Sequence, residues 1–317
     1  NNHIGLPLTL LSLESSHDAA VVEIGLNHPG ELGMLSRLAA PRVAVITSIA
    51  PAHLEGLGSV AGVARAKSEI LDGLVPDGVL VLPAGVPELD AAVARYRGRR
   101  VTFGLDARAD RHPVRVESLG LDGTEITLDD GVTVHTPQLG MHVVANLLAA
   151  LTAAECLGVP PEQAAPHVEQ IPAVKGRLQV RRVGARAVLD DTYNANPASL
   201  RAALDVLRRL DAGGRYAVLG DMLELGAEAE RYHRETGADA AFVDGLVAVG
   251  TLGGIIADGA VAAGLDPRRV ARVADAGAAA EALSGVAPNG VVLVKGSRGM
   301  RLERAVEDLL VRWGGEG

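Results

Sequence analysis

Lysine and cysteine are nearly absent: three lysines, at 67, 175 and 295, stand among 30 basic residues, and Cys156 is the single cysteine of 317 residues. One thiol excludes an internal disulfide framework and fits a reducing cytoplasm. Basic excess is lacking too; the formal charge of -9 argues against a nucleic-acid-binding surface. No apolar run approaches the length of a membrane span, so bilayer insertion is not expected. No signal peptide is visible, but the chain starts at Asn1 without a methionine. NNHIGLPLTLL reads like the interior of a longer protein, so that absence weighs little. The G-x-G-x-x-G fingerprint is missing, which leaves a dinucleotide cofactor unindicated. No heptad or large apolar face proposes a dimer, and a monomer is expected.

What remains is globular. The length suggests about two domains, and 48% hydrophobic residues are ample for their cores.

The stretch HLEGLGSVAGVARAKSEIL, His53 to Leu71, organises the first half. Ser59 is a good N-cap for a helix from Val60. At about 100° per residue, Val60, Val63, Ala64, Ile70 and Leu71 fall within about 60° of Lys67, while Arg65 and Glu69 point the opposite way. Lys67 therefore sits in the apolar stripe, where burial favours a neutral, reactive amine. Helix geometry alone leaves open a lysine that merely snorkels past the helix end.

Upstream, Ala19–Ile24 (AAVVEI) reads as a buried strand that brings Glu23 to a C-terminal sheet edge, where ligands of open α/β sheets bind. Glu23 suits a metal or polar substrate there, or an ordinary strand-end salt bridge. A helix over Glu31–Leu38 follows, then a strand over Val43–Ser48 that leads to His53. If the two strands are neighbours, Glu23, His53 and the Lys67 helix converge on a hard divalent ion. A neutral lysine amine can add carbon dioxide to give a carbamate, an oxygen ligand that arginine cannot form.

Gly78–Leu82 and Arg100–Phe103 read as further strands around a helix at Glu88–Arg95. Val114–Ser118, Thr124–Leu128 and Val132–Thr136 alternate with period two between Asp-Gly turns, the pattern of a small antiparallel sheet. A long alanine-rich helix opens at Gly140-Met141-His142 and places His142 and Asn146 on one face. An amide there reads a purine edge or makes only a helix-start hydrogen bond. IPAVKGR, Ile171 to Arg177, breaks the chain between domains over 1–175 and 176–317.

Beyond it, strands at Ala187–Asp191, Tyr216–Gly220, Leu246–Gly250, Val270–Ala274 and Val291–Lys295 alternate with helices beginning near Pro197, Ala227, Leu252, Ala276 and Met300. This is a Rossmann-like, doubly wound α/β domain, following a mostly parallel-sheet α/β domain with its small antiparallel subsheet. Three strand ends carry polar clusters: Asp190 to Asn196, Gly220 to Glu224, and Lys295 to Arg298.

In this order EIGLNHPGE, AHLEGLGSVAGVARAKSEIL, GMHVVANLLAA, KGRLQV, LDDTYNANPASL, LGDMLELG and VLVKGSR, with the opening NNHIGLPLTLL, resemble the Mur ligase superfamily. The likeness is greatest to the branch that joins D-alanyl-D-alanine to UDP-MurNAc-tripeptide. The resemblance implies an ATP-dependent, ADP-forming cytoplasmic ligase of peptidoglycan precursor synthesis, working through an acyl phosphate. It implies that Lys67 is carbamylated and holds Mg2+ with His53 and Glu23, that Asn146 contacts adenine, and that Arg177 and Asp191 contact ribose and phosphates. Tyr193 and Asn194 would line the nucleotide pocket, Asn2 and Thr9 would face the UDP-peptide, and Lys295, Ser297 and Arg298 the incoming dipeptide. Lys175 stands where the family usually has proline and receives no role. The family's phosphate loop, GxxGKT, occurs nowhere in the chain. It is expected upstream of Asn1 together with an amino-terminal domain, so that these residues alone should not turn over ATP. A sister ligase with another acceptor, or a non-catalytic paralogue without the loop, are the alternatives.

Overall fold

The structure is a computed structural model that describes residues 1–26, 28–50, 54–283 and 285–315. The chain forms two compact units: residues 1–116, 126–134 and 144–167 make the first, residues 117–125, 135–143 and 168 onward the second.

In the first unit, helix α1 (Gly5–Leu11) begins where Asn2 Oδ1 accepts the N–H groups of Ile4 and Gly5, each at 3.0 Å. Helix α2 (Glu31–Ala39) follows Gly30, whose φ of 88° suits a residue without Cβ. Strands β1 (Val43–Val45), β2 (Val79–Pro83) and β3 (Arg99–Phe103) pair in parallel in the order β1-β2-β3. Between β1 and β2 come α3 (Leu54–Leu57) and α4 (Val60–Ser68); α5 (Pro87–Ala92) links β2 to β3. Ala44, Ile46, Leu80, Leu82, Leu89 and Val93 form the core beneath them.

The sequence misleads at two places here. Ala19–Ile24 is not a strand: Val21 is 94% exposed and Val22 and Ile24 are only half-buried. An apolar run becomes a strand only with a ladder partner, and β1, paired with β2 on one side, has no strand on its outer side among the described residues. The strand expected over Val43–Ser48 is also shorter, ending at Val45.

Strands β4 (Pro113–Ser118), β5 (Thr124–Leu128) and β6 (Thr133–Thr136) form the small sheet in that order, and α6 (Met141–Cys156) and α7 (Pro161–Val168) follow.

The second unit holds a six-stranded sheet. Its strands are β7 (Gln179–Val183), β8 (Arg186–Asp191), β9 (Gly214–Gly220), β10 (Gly245–Val249), β11 (Val270–Val273) and β12 (Gly290–Lys295), ordered β11-β10-β9-β12-β8-β7. All pair in parallel except β7, which returns antiparallel on β8. Period-two alternation sends Leu189, Leu219, Ala248 and Leu293 to one face, where α8 (Pro197–Arg209), α9 (Ala229–Asp239) and α10 (Gly253–Ala262) cover them. Val188, Val218, Val249 and Val294 go to the other face, under α11 (Ala279–Ala282) and α12 (Glu303–Gly314). With helices on both faces the strands read as continuous apolar runs, and β12 lies between β8 and β9 at the switch in strand order.

Candidate functional site

Lys67 lies in the last turn of α4, whose start Ser59 caps by accepting the Gly62 N–H at 3.1 Å. Its neighbours Val63, Ala64 and Ala66 are buried, and Lys67 is half-buried with Nζ donating to the Ser48 carbonyl at 2.7 Å. Burial pulls its pKa below the ordinary 10.5.

Glu69, expected on the wet side, instead reaches across to α2. Its carboxylate accepts the Gly30 N–H at 2.8 and 2.9 Å and the Gly33 N–H at 3.3 Å, at the positive end of that helix. The helical wheel fails because α4 ends at Ser68 and gives way to a 3-10 turn over Glu69–Asp72. Gly73 lets α2 approach this turn, since a Cβ there would lie 2.0 Å from the Ser36 carbonyl oxygen. The hydroxyl of Ser36 donates to the Ile70 carbonyl at 2.5 Å.

Glu23 is exposed, at no strand end, with its carboxylate 3.5 Å from the Asn1 amino group. His53 lies outside the described residues. Among the described residues no group of three or more His, Cys, Asp or Glu side chains is placed to hold a metal. Thr9 donates its hydroxyl to Gly5 on its own helix, and Asn146 is exposed on α6.

The second unit brings its predicted residues together at the C-terminal edge of the sheet. Lys295, at the end of β12, faces Asp191 at the end of β8, Nζ to Oδ2 2.7 Å, and donates to the Asn194 carbonyl at 2.9 Å. Asp191 Oδ1 accepts the Leu178 N–H at 3.2 Å. Burial lowers the Lys295 pKa, Asp191 raises it part of the way back, and the Arg177 charge lowers it again. Loss of hydration likewise lowers the pKa of His142, against the Asp191 charge and with that of Lys295.

Ser297 joins three strand-end loops. It donates its N–H to the Asp221 carbonyl at 3.0 Å, accepts the Leu223 N–H at 2.9 Å and lies 3.5 Å from the Ala195 carbonyl. Asp221 in turn accepts the N–H groups of Thr251 and Leu252, so it caps the start of α10. Gly250 makes room for that carboxylate, because a Cβ there would meet it at 2.7 Å.

Sequence reasoning missed His233. It is fully buried on α9, with Nε2 accepting the Met222 N–H at 2.9 Å while Nδ1 lies 2.6 Å from the Ala229 carbonyl. This pairing assigns the neutral tautomer with hydrogen on Nδ1. The only sequence signal was a lone histidine on the inner side of a polar helix.

The exposed members of the edge are Arg177, whose guanidinium stacks 4.3 Å above the Tyr193 ring, and Tyr193, Asn194 and Arg298. Arg298 is 66% exposed and 3.7 Å from Glu303.

Residues 1–154 match the Mur ligase middle domain, and residues 176–298 the Mur ligase glutamate ligase domain. The UDP-N-acetylmuramoyl-tripeptide–D-alanyl-D-alanine ligase of Bacillus subtilis (strain 168) is 38% identical over 98% of this chain and 68% of its own length. The enzyme of the same name from Haemophilus influenzae is 42% identical over 75% of this chain and 52% of its own. The chain thus spans about two thirds of the first and about half of the second. Among solved structures, MurF from Acinetobacter baumannii superposes with a TM-score of 0.86 at 32% identity, covering 98% of this chain and 69% of that one. MurF ligase from Thermotoga maritima in complex with ADP gives 0.84 at 25% identity, covering 100% and 73%.

Proposed function

This chain belongs to the Mur ligase family, and from that premise we propose that it carries the middle and carboxy-terminal domains, residues 1–175 and 176–317, of an ATP-dependent ligase joining D-alanyl-D-alanine to UDP-MurNAc-tripeptide. The observation that carries the reading is the meeting of DDTYNANP, GDMLELG and VKGSR at one sheet edge, bound together through Ser297, Lys295 and Asp191.

In the proposed reaction the tripeptide's terminal carboxylate takes the γ-phosphoryl group of ATP and ADP leaves. The dipeptide amine then attacks the acyl carbon, the carbon–oxygen bond to phosphate breaks, and phosphate departs as the amine loses its proton. Catalysis of such a transfer rests on positioning and on water exclusion.

The geometry supports a division of labour. Arg177, Tyr193 and Asn194 are open to solvent and suited to meet the nucleotide, as is the exposed amide of Asn146. Asp191 is committed to Lys295 and the Leu178 N–H, so its part in nucleotide binding runs through the shape it gives to that loop. Lys295 and Ser297 are buried and act as positioning residues, which leaves Arg298, exposed and 3.7 Å from Glu303, as the cation of this cluster placed to meet the dipeptide carboxylate. Asn2 and Thr9 are proposed to face the UDP-peptide.

Magnesium would neutralise charge between phosphates and carboxylate. The described residues do not assemble a site for it: Glu23 is exposed, Lys67 is bonded to a carbonyl and no cluster of ligands forms. The half-buried amine of Lys67, its pKa lowered by burial, is proposed to take up carbon dioxide as a carbamate.

The test uses the full-length protein with ATP, UDP-MurNAc-tripeptide and D-alanyl-D-alanine. ADP release that requires both other substrates, with a product heavier by the dipeptide less water, supports the reading. Release that depends instead on a single amino acid identifies a sister ligase, and no release under any acceptor leaves the non-catalytic paralogue.

A further inference from the structure

Left-handed backbone is costly for a residue with a Cβ and persists where its surroundings hold it. Among the described residues four non-glycines adopt it: Ala40, Leu178, Glu224 and Arg301. Ala40 is the C-cap of α2. The other three all flank the strand-end site of the second unit. Leu178 donates to Asp191, Glu224 follows Leu223, and Arg301 (φ 51°) closes the turn over Arg298–Met300.

Between these points one apolar side chain is presented outward. Met222 and Leu225 are buried, yet Leu223 is 48% exposed. A lone exposed leucine is ordinary on a protein surface. This one is held: its N–H is bonded to Ser297 Oγ, and the N–H before it to buried His233. Its side chain lies over Gly299, where a Cβ would come within 3.2 Å of Leu223 Cδ1. An aliphatic contact is thereby fixed beside the turn that carries the exposed guanidinium of Arg298.

We infer that Leu223 is a specificity-determining residue for the acceptor, its side chain packing on a methyl group of a D-alanyl-D-alanine whose carboxylate pairs with Arg298. The inference rests on the ligase reading above and adds to it the residue that selects alanine over glycine.

The experiment compares kcat/KM of the full-length protein for D-alanyl-D-alanine, D-alanyl-glycine and glycyl-D-alanine, in the parent and in Leu223→Ala and Leu223→Gln. One missing methyl in an apolar contact is worth about tenfold or more. The parent should discriminate by about that factor against at least one glycine dipeptide. Both variants should bring that preference down to about twofold, with the KM for ATP unchanged and the melting temperature within a few degrees. Retention of the parental preference in both variants, or a parent that does not discriminate, overturns the subsite alone. A parent that releases no ADP with any of the three overturns the ligase reading and the subsite with it.

Discussion

Lys295 and Asp191 meet from neighbouring parallel strands with 2.7 Å between ammonium and carboxylate, and both side chains are buried. Neither reaches solvent freely, so the pair fixes the ends of β12 and β8 rather than offering itself to a ligand. Removing one partner strands the other charge.

Asp191→Asn should therefore lower unfolding stability by about 3 kcal/mol, the usual cost of an uncompensated buried charge. Lys295→Met combined with Asp191→Asn should recover part of that loss. Urea titrations of the two single variants and the double variant measure the coupling, and strictly additive losses would contradict the buried pair.

His233→Phe keeps a ring on α9 but leaves the Met222 N–H without an acceptor. A loss of about 2 kcal/mol is expected, the desolvation cost of an unpaired buried donor. Amide exchange at Met222, read by mass spectrometry of the corresponding peptide, should accelerate in the variant. Unchanged protection there would remove His233 from its assigned role.

The sequence made the second unit legible because strands covered on both faces must be apolar along their whole length, as Val188 and Leu189, or Val218 and Leu219, show on opposite faces. Edge strand β7 was not legible: Gln179-Val180-Arg181-Arg182-Val183 carries polar residues that its open side tolerates. The AAVVEI segment failed for the complementary reason, since composition reports strand preference but not whether a ladder partner exists. Lys67 stood out as a lysine in an apolar helix stripe, Asp191 and Lys295 as polar residues at strand ends. The connections of Ser297, Glu69 and His233 did not, because each bonds to backbone groups distant in sequence, and a backbone N–H leaves no residue signature.

Glu69→Ala should destabilise the start of α2 by about 1 kcal/mol, through loss of an anionic cap on a helix dipole. Glu69→Gln, which keeps one acceptor oxygen, should lose less. Thermal melts of the two variants supply the comparison, and equal stability of Glu69→Ala and parent would refute the cap.

Lys67 also predicts the sign of a pH dependence. Its folded pKa lies below 10.5, so between the two values the unfolded chain binds more protons than the native one. Stability relative to Lys67→Met should rise with pH across that alkaline window. Denaturant titrations in carbonate-free buffer over that range test it, and a falling difference would contradict burial of the amine.

The same half-buried amine predicts a covalent modification. A neutral Lys67 attacks carbon dioxide, the new nitrogen–carbon bond forms and one proton leaves, giving an anionic carbamate; the guanidinium of Arg carries no comparable nucleophile. Protein equilibrated with 13C-bicarbonate near pH 8 should show a carbamate carbon resonance that Lys67→Arg abolishes. In the full-length protein Lys67→Ala and Lys67→Arg should both lose activity, and short carboxylates should restore part of it to the alanine variant only, because arginine fills the space the added anion needs. Full activity of Lys67→Arg would show that the position requires a cation rather than a carbamate.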